Sequence, residues 1–146
     1  MLSKRVKLLI VDDEPALRES LSQLFIACGY SVCSAQDGFS ALDRMKQGLP
    51  DIILSDLNMA GMSGFDFLPT VRSRFPAIHL IAMSASFTGN EVPPGVVADA
   101  FYPKATGVPA LLHIVKTAVN SRHECVPADR ARIMAVPVST YPQQAA

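Results

Sequence analysis

The sequence has little from which to build a disulfide framework. Its three cysteines, Cys28, Cys33 and Cys125, form no Cys-x-x-Cys pair and have no matching histidine spacing. An odd set of this kind reads as reduced cytosolic thiols, not as a zinc site. Charge is also scarce, at 18% of residues, and balanced at 13 Lys+Arg against 13 Asp+Glu. A duplex-binding protein needs surplus cations to displace phosphate counterions, so nucleic acid is not an expected partner. Arg130 and Arg132 are too few to change that. Long apolar runs are missing too. Nothing approaches the ~18 residues of a membrane span, and the run after Met1-Leu2-Ser3-Lys4-Arg5 is too short for a signal peptide. A soluble, cytoplasmic protein without a membrane partner is the expectation.

What is present is a core. Hydrophobic residues make up 49% of the 146, enough to exclude disorder over most of the length and to fill one domain. Short aliphatic runs alternate with longer amphipathic ones. Val6 to Val11 is nearly all apolar and stops at Asp12-Asp13-Glu14, as suits a strand buried on both faces. Pro15 opens a helical pattern carrying Leu17, Leu21, Leu24 and Phe25, and Gly29 closes it. Further strands are expected at Tyr30 to Ala35, Asp51 to Asp56, His79 to Ser84 and Ala100 to Tyr102. Further helices are expected at Ser40 to Lys46, around Phe67, Leu68 and Val71, and at Pro109 to Val119. This alternation predicts a doubly wound α/β domain with a parallel sheet. Between Ser86 and Ala98 the expected helix is poorly encoded, because Pro93, Pro94 and Gly95 would break it. A short helix or a loop is expected there. After Arg122 the composition turns to Pro, Ala, Gln and Thr, which reads as a flexible tail too short to be an output domain.

In open α/β sheets the ligand crevice lies beyond the carboxyl ends of the strands. Polar residues stand there strand by strand: Asp12 and Asp13, then Asp56, Ser84 and Lys104. In a flavodoxin-like strand order the first and third strands are neighbours, and three carboxylates converge. Like charges that close raise one another's proton affinity unless a cation lies between them. Oxygen ligands without His or Cys favour a hard ion such as Mg²⁺. A lysine and a serine hydroxyl facing it would complete a cradle for a phosphoryl group, with Asp56 as the attacking carboxylate. His79, His113 and His123 have no mutual spacing suited to a metal. Met59 and Met62 lie beside the acidic pocket, where gap-filling and partner contact are both open readings. Leu111, Leu112 and Val115 read as a core stripe or as a dimer face.

These residues closely resemble the receiver domain of bacterial two-component response regulators, including single-domain chemotaxis regulators. The resemblance runs from about Lys7 to Val119. It rests on Leu9-Ile10-Val11-Asp12-Asp13-Glu14, Asp51 to Met59, Met62-Ser63-Gly64, Met83-Ser84-Ala85 and Asp99 to Lys104. It implies a five-stranded parallel sheet of order 2-1-3-4-5 with helices on both faces and a short or distorted fourth helix. It also implies a receiver over residues 1–122 and a tail over 123–146, with no output domain. Asp56 is implied to be the phosphoacceptor, taking its group from a histidine kinase or a histidine phosphotransfer protein. Asp13 would hold Mg²⁺ directly and Asp12 through water, Asp56 would join them, and Asn58 would add its backbone carbonyl. Ser84 and Lys104 would meet phosphoryl oxygens, and Phe101 would stand at the aromatic switch position. A downstream protein target and a monomer or weak dimer complete the expectation.

Three departures from the family pattern stand out: Ala105 after the lysine where proline is usual, Ala60 where proline is common, and the broken segment at Pro93-Pro94. The first implies a trans turn after the fifth strand. The last leaves open a receiver fold kept as a phosphorylation-independent binding module. A haloacid-dehalogenase-like hydrolase also uses Asp, Ser/Thr and Lys in this order. Against that reading, Asn58 stands where the second aspartate of that family belongs, and the acidic pair precedes the nucleophile. The expectation is therefore a phosphoacceptor with slow self-dephosphorylation, not an enzyme.

Overall fold

In the computed structural model, which describes residues 5–87, 89 and 91–124, the run after Val6 forms β1, Lys7–Val11. Its last four residues are essentially buried. A strand buried on both faces needs cover on each side, and parallel neighbours joined by helices supply it. Strand β3, Ile52–Asp56, is buried at all five positions, and β4, His79–Ser84, at all but the first. Strand β2, Ser31–Ala35, is half exposed and lies at one edge. Strand β5, Ala100–Pro103, lies at the other. The order is β2-β1-β3-β4-β5 and every pairing is parallel, the flavodoxin-like order expected from the sequence.

The helices follow their local signals. Helix α1, Pro15–Ala27, begins on the proline. Helix α2, Gly38–Met45, starts two residues earlier than its apolar pattern indicates, because the Asp37 carboxylate caps it by accepting from the Ser40 amide at 2.8 Å. Helix α3 is Gly64–Arg74 and α4 is Val108–Glu124. Strand alternation sends Leu9, Val11 and Ile53 into one core with Ala41 and Met45 of α2 and Phe67, Leu68 and Val71 of α3. Leu8, Ile10, Ile52 and Leu54 alternate to the other face. There α1 packs over β1 and β2 with Leu21 and Phe25 buried.

Between β4 and β5 the chain takes the looser of the two expected forms, and no helix occurs among the described residues of 85–99. Val92, Val96, Val97 and Ala98 nevertheless pack on the core shared by α2 and α3. Asp99 returns the chain to the sheet. Its amide donates to the Leu80 carbonyl at 2.7 Å, while one carboxylate oxygen accepts from the Leu80 amide at 2.8 Å. The other oxygen meets Arg72 of α3 at 2.8 Å.

After β5 a 3-10 turn spans Lys104–Thr106, closed by the Thr106 hydroxyl donating to the Pro103 carbonyl at 2.7 Å. Gly107, at φ 92°, then turns the chain into α4. The described residues contain no cis peptide bond, in keeping with the trans turn expected from Ala105. The chain divides into two compact units at Leu111–Leu112. The described part of the second is the continuation of α4 to Glu124, in which Val115 and Ala118 are buried and His113 is exposed. The helix thus runs two residues past the expected boundary at 122, and the expected tail lies, from Cys125 on, outside the described residues. Among the described residues no helix is long and apolar enough to cross a membrane.

Candidate functional site

The parallel register brings the strand ends level. Val11 pairs with Ser55, and Asp56 with Met83, so the residues following β1, β3 and β4 emerge at one edge of the sheet. Asp12 is fully buried and Asp56 is 6% exposed, while Asp13 is exposed. The three carboxylates bring one oxygen each to within 4.8 Å of the others.

A lysine lies between two of them. Lys104 Nζ is 2.9 Å from Asp12 Oδ2 and 3.1 Å from Asp56 Oδ2. Burial pushes the Asp56 carboxyl above its ordinary value; the Lys104 charge opposes this and the Asp12 charge adds to it. For Lys104 burial works against the charge. The hydrogen bond to Asp12 and the charges of Asp56 and Asp12 outweigh it, and the ammonium is held above its ordinary value. The site therefore keeps a fixed cation beside a carboxylate that is costly to ionise.

Each acid is oriented by the backbone. Asp12 Oδ1 accepts from the Glu14 amide at 2.9 Å, Asp56 Oδ1 from the Asn58 amide at 3.3 Å, and Asp13 Oδ2 from the Ala60 amide at 3.3 Å. Ser84, fully buried, accepts from the Ser86 amide at 3.0 Å and lies 3.5 Å from Asn58 Nδ2. Phe101 is buried and meets Phe87 edge to face, with ring centroids 6.4 Å apart. Asp12, Asp13, Asp56, Asn58, Ser84 and Lys104, all singled out in the sequence, thus converge here, while Phe101 lies within β5 against Phe87.

Oxygen donors without His or Cys suit a hard divalent cation. Asp12, Asp13 and Asp56 therefore fit Mg²⁺ by donor type and mutual reach. A carboxylate so placed, beside an ammonium and a hydroxyl, can attack a phosphoryl group and stabilise the charge that moves.

Sequence reasoning assigned no role to three supports. Arg18, one turn into α1, donates to the Asp12 carbonyl at 2.7 Å. Gly64 donates its amide to the Leu57 carbonyl at 3.1 Å, and a Cβ there would lie 2.2 Å from the Asp56 carbonyl oxygen. Phe87 is the aromatic partner of Phe101. Only Gly64 carried a signal, as a glycine at a helix start close behind the nucleophile. As for the methionines, Met59 is nearly buried in the core, and half-buried Met62 packs against Gly38, where a Cβ would lie 2.7 Å from its Sδ. Both fill space.

Residues 8–116 match the response regulator receiver domain family. The response regulator MprA of Mycobacterium sp. (strain KMS) is 34% identical over 109 residues, covering 73% of this chain and 47% of that protein. The chain therefore spans about half the length of such curated relatives. Among solved structures, the chemotaxis response regulator CheY4 of Vibrio cholerae superposes with a TM-score of 0.71 at 28% identity, covering 79% of this chain and 99% of that one. The response regulator TrrA of Thermotoga maritima, solved with Mg²⁺-BeF, gives 0.70 at 27% identity over 77% of this chain and 98% of that one. TrrA has also been solved in complex with the histidine kinase ThkA, and that structure gives 0.70 at 26% identity over 77% and 97%.

Proposed function

Since the chain belongs to the response regulator receiver domain family of two-component signalling, we propose that it is a phosphorylatable switch whose acceptor is Asp56. The observation that carries this reading is the pairing of the buried Asp56 carboxylate with Lys104 at 3.1 Å, within reach of Asp12 and Asp13.

In the proposed reaction an Asp56 oxygen attacks the phosphorus of a phosphohistidine on a kinase or phosphotransfer protein. The P–N bond breaks as the P–O bond of the acyl phosphate forms. The imidazole leaves with the electron pair and takes up a proton. Asp12, Asp13, Asp56 and the Asn58 carbonyl would hold Mg²⁺, which supplies charge neutralisation when bound. Lys104 offsets part of the cost of ionising the nucleophile and then pairs with a phosphoryl oxygen. Ser84 turns from its bond with the Ser86 amide to donate to another. Its turn frees the first peptide of the segment 85–99, beside the Phe87–Phe101 contact, and so changes the surface offered to a downstream protein. TrrA, with its Mg²⁺-BeF and ThkA complexes, is the precedent that supports this reading of metal and donor.

The reading places the protein in the cytoplasm as a monomer or weak dimer, with slow self-hydrolysis and no turnover of phosphomonoesters. Intact mass after incubation with acetyl phosphate and Mg²⁺ tests it. One added phosphoryl group is expected, absent with EDTA and absent in Asp56→Ala. The lack of a helix among the described residues of 85–99 favours one second reading, a module that binds partners without phosphorylation. It would show no adduct and no uptake of a beryllofluoride mimic. Sustained release of phosphate from small phosphomonoesters would instead identify a hydrolase.

A further inference from the structure

At the end of the sheet opposite the carboxylates, where β1 and β2 begin, lies a cleft of about 270 Å³. Its origin is the shortness of α2. Eight residues of helix cover about 12 Å, while five-residue strands run about 16 Å. The helix ends at Met45 and the chain drops away through a turn in which Gln47 and Gly48 donate to the carbonyls of Arg44 and Met45. The first residues of β1 and β2 are left without a helix above them.

Register and alternation decide what that gap shows. Lys7 pairs with Ser31 and Leu9 with Cys33, and all four lie on the α2 side of the sheet. Leu9 and Met45 are buried and give an apolar floor. Lys7 and Arg44 stand at the rim, and no Asp or Glu is among the lining residues. Asp51 accepts from the Lys7 backbone amide at 2.8 Å, and Asp43, beside Arg44 in sequence, meets Lys46 at 3.4 Å. The cleft therefore combines two cations of one sign with an apolar base. Its size falls just below the ~300 Å³ at which sites for drug-sized molecules begin, so its ligand must be small.

We propose that this cleft binds a small organic carboxylate whose charge is met by Lys7 and Arg44 and whose apolar body rests on Leu9 and Met45. The site is separate from the phosphoryl pocket, and the proposal stands without any assumption about Asp56.

The test uses the full chain, with sodium benzoate as probe and benzamide as its uncharged isostere, followed by amide NMR. Benzoate should shift the Cys33 and Gln47 amides saturably and at least tenfold more tightly than benzamide. The Lys7→Met, Arg44→Met double variant should lose that preference while keeping the parent's circular dichroism. Benzoate should also slow alkylation of Cys33 by iodoacetamide and leave exposed Cys28 unaffected. Asp56→Asn should give the same titration. Equal affinity for benzoate and benzamide, absence of saturation, or shifts confined to the residues around Lys104 would overturn the proposal. So would binding of inorganic phosphate as tight as that of benzoate, because the apolar floor would then contribute nothing.

Discussion

Gly64 offers a test of how tightly the end of β3 is held, because ordinary helix chemistry and the geometry here predict opposite signs. At a relaxed site, replacing glycine by alanine stabilises by about 0.4–1 kcal/mol through loss of unfolded-state freedom. Here the added methyl would lie 2.2 Å from the Asp56 carbonyl oxygen, 2.8 Å from the Leu57 Cα and 3.0 Å from the Asp56 carbonyl carbon. All three are backbone atoms, so no rotamer relieves the overlap. The shortfall from ordinary van der Waals contact exceeds an ångström at the first of them. The carbonyl also accepts from the Ser55 hydroxyl at 3.0 Å, and Gly64 itself is tied to Leu57. Either that bond or the strand end must yield. Overpacking of this kind costs ~1–3 kcal/mol. For a urea slope of ~1–3 kcal/mol/M the unfolding midpoint should fall by about 1 M in Gly64→Ala. Gly48→Ala is the control, since its methyl meets only the flexible end of Lys7 at 3.9 Å and should leave the midpoint unchanged or raise it. Displacement of Asp56 by an ångström should also slow phosphoryl uptake by about 10- to 100-fold. A Gly64→Ala protein as stable as Gly48→Ala, with uptake at the parent's rate, would refute the reasoning.

Three further outcomes are expected. Lys104→Ala leaves Asp12 and Asp56 facing each other in a buried setting and should cost about 3 kcal/mol in EDTA. Added Mg²⁺ should restore more stability to that variant than to the parent, and a loss no larger than that of exposed Lys46→Ala would contradict this. Asp56→Asn, followed by urea unfolding in EDTA from pH 4 to 7.5, should be more stable than the parent at the upper end. The folded carboxyl titrates above its ordinary 3.8, chiefly through burial, so the parent loses stability as pH rises from that value through the folded one. The advantage of the variant should shrink toward pH 4, and a constant gap would tell against it. Asp37→Ala removes the cap of α2 at Ser40 and should cost about 1 kcal/mol in thermal or urea unfolding.

The elements that were legible in the sequence are those where one signal dominated. The nearly apolar run Val6 to Val11 suited a strand covered on both faces, and carboxylates placed after such strands named the pocket. Pro15 marked the start of α1 to the residue. The start of α2 was less clear because its cap, Asp37, precedes a glycine and an exposed phenylalanine that carry no amphipathic pattern. Asp12 and Asp13 look alike as letters, yet one is fully buried against Lys104 and the other exposed. That difference arises from the sheet pleat and from a lysine 92 positions away in sequence. The Phe87–Phe101 contact depends on tertiary approach in the same way, while Arg18 reaches a carbonyl only six positions back through a bond that no residue pattern announces. The cleft beyond the end of α2 comes from a length mismatch between helix and strand, which becomes visible only once the register is known.

The passage from β4 to β5 has no helix among its described residues, and that decides how it is held. A helix carries its own ladder of backbone bonds; here Val92, Val96, Val97 and Ala98 lean on the core beneath, and Asp99 clamps the far end to Leu80 and Arg72. Its firmness is borrowed from α2, α3 and the sheet, so a change in that core passes directly to this face of the molecule.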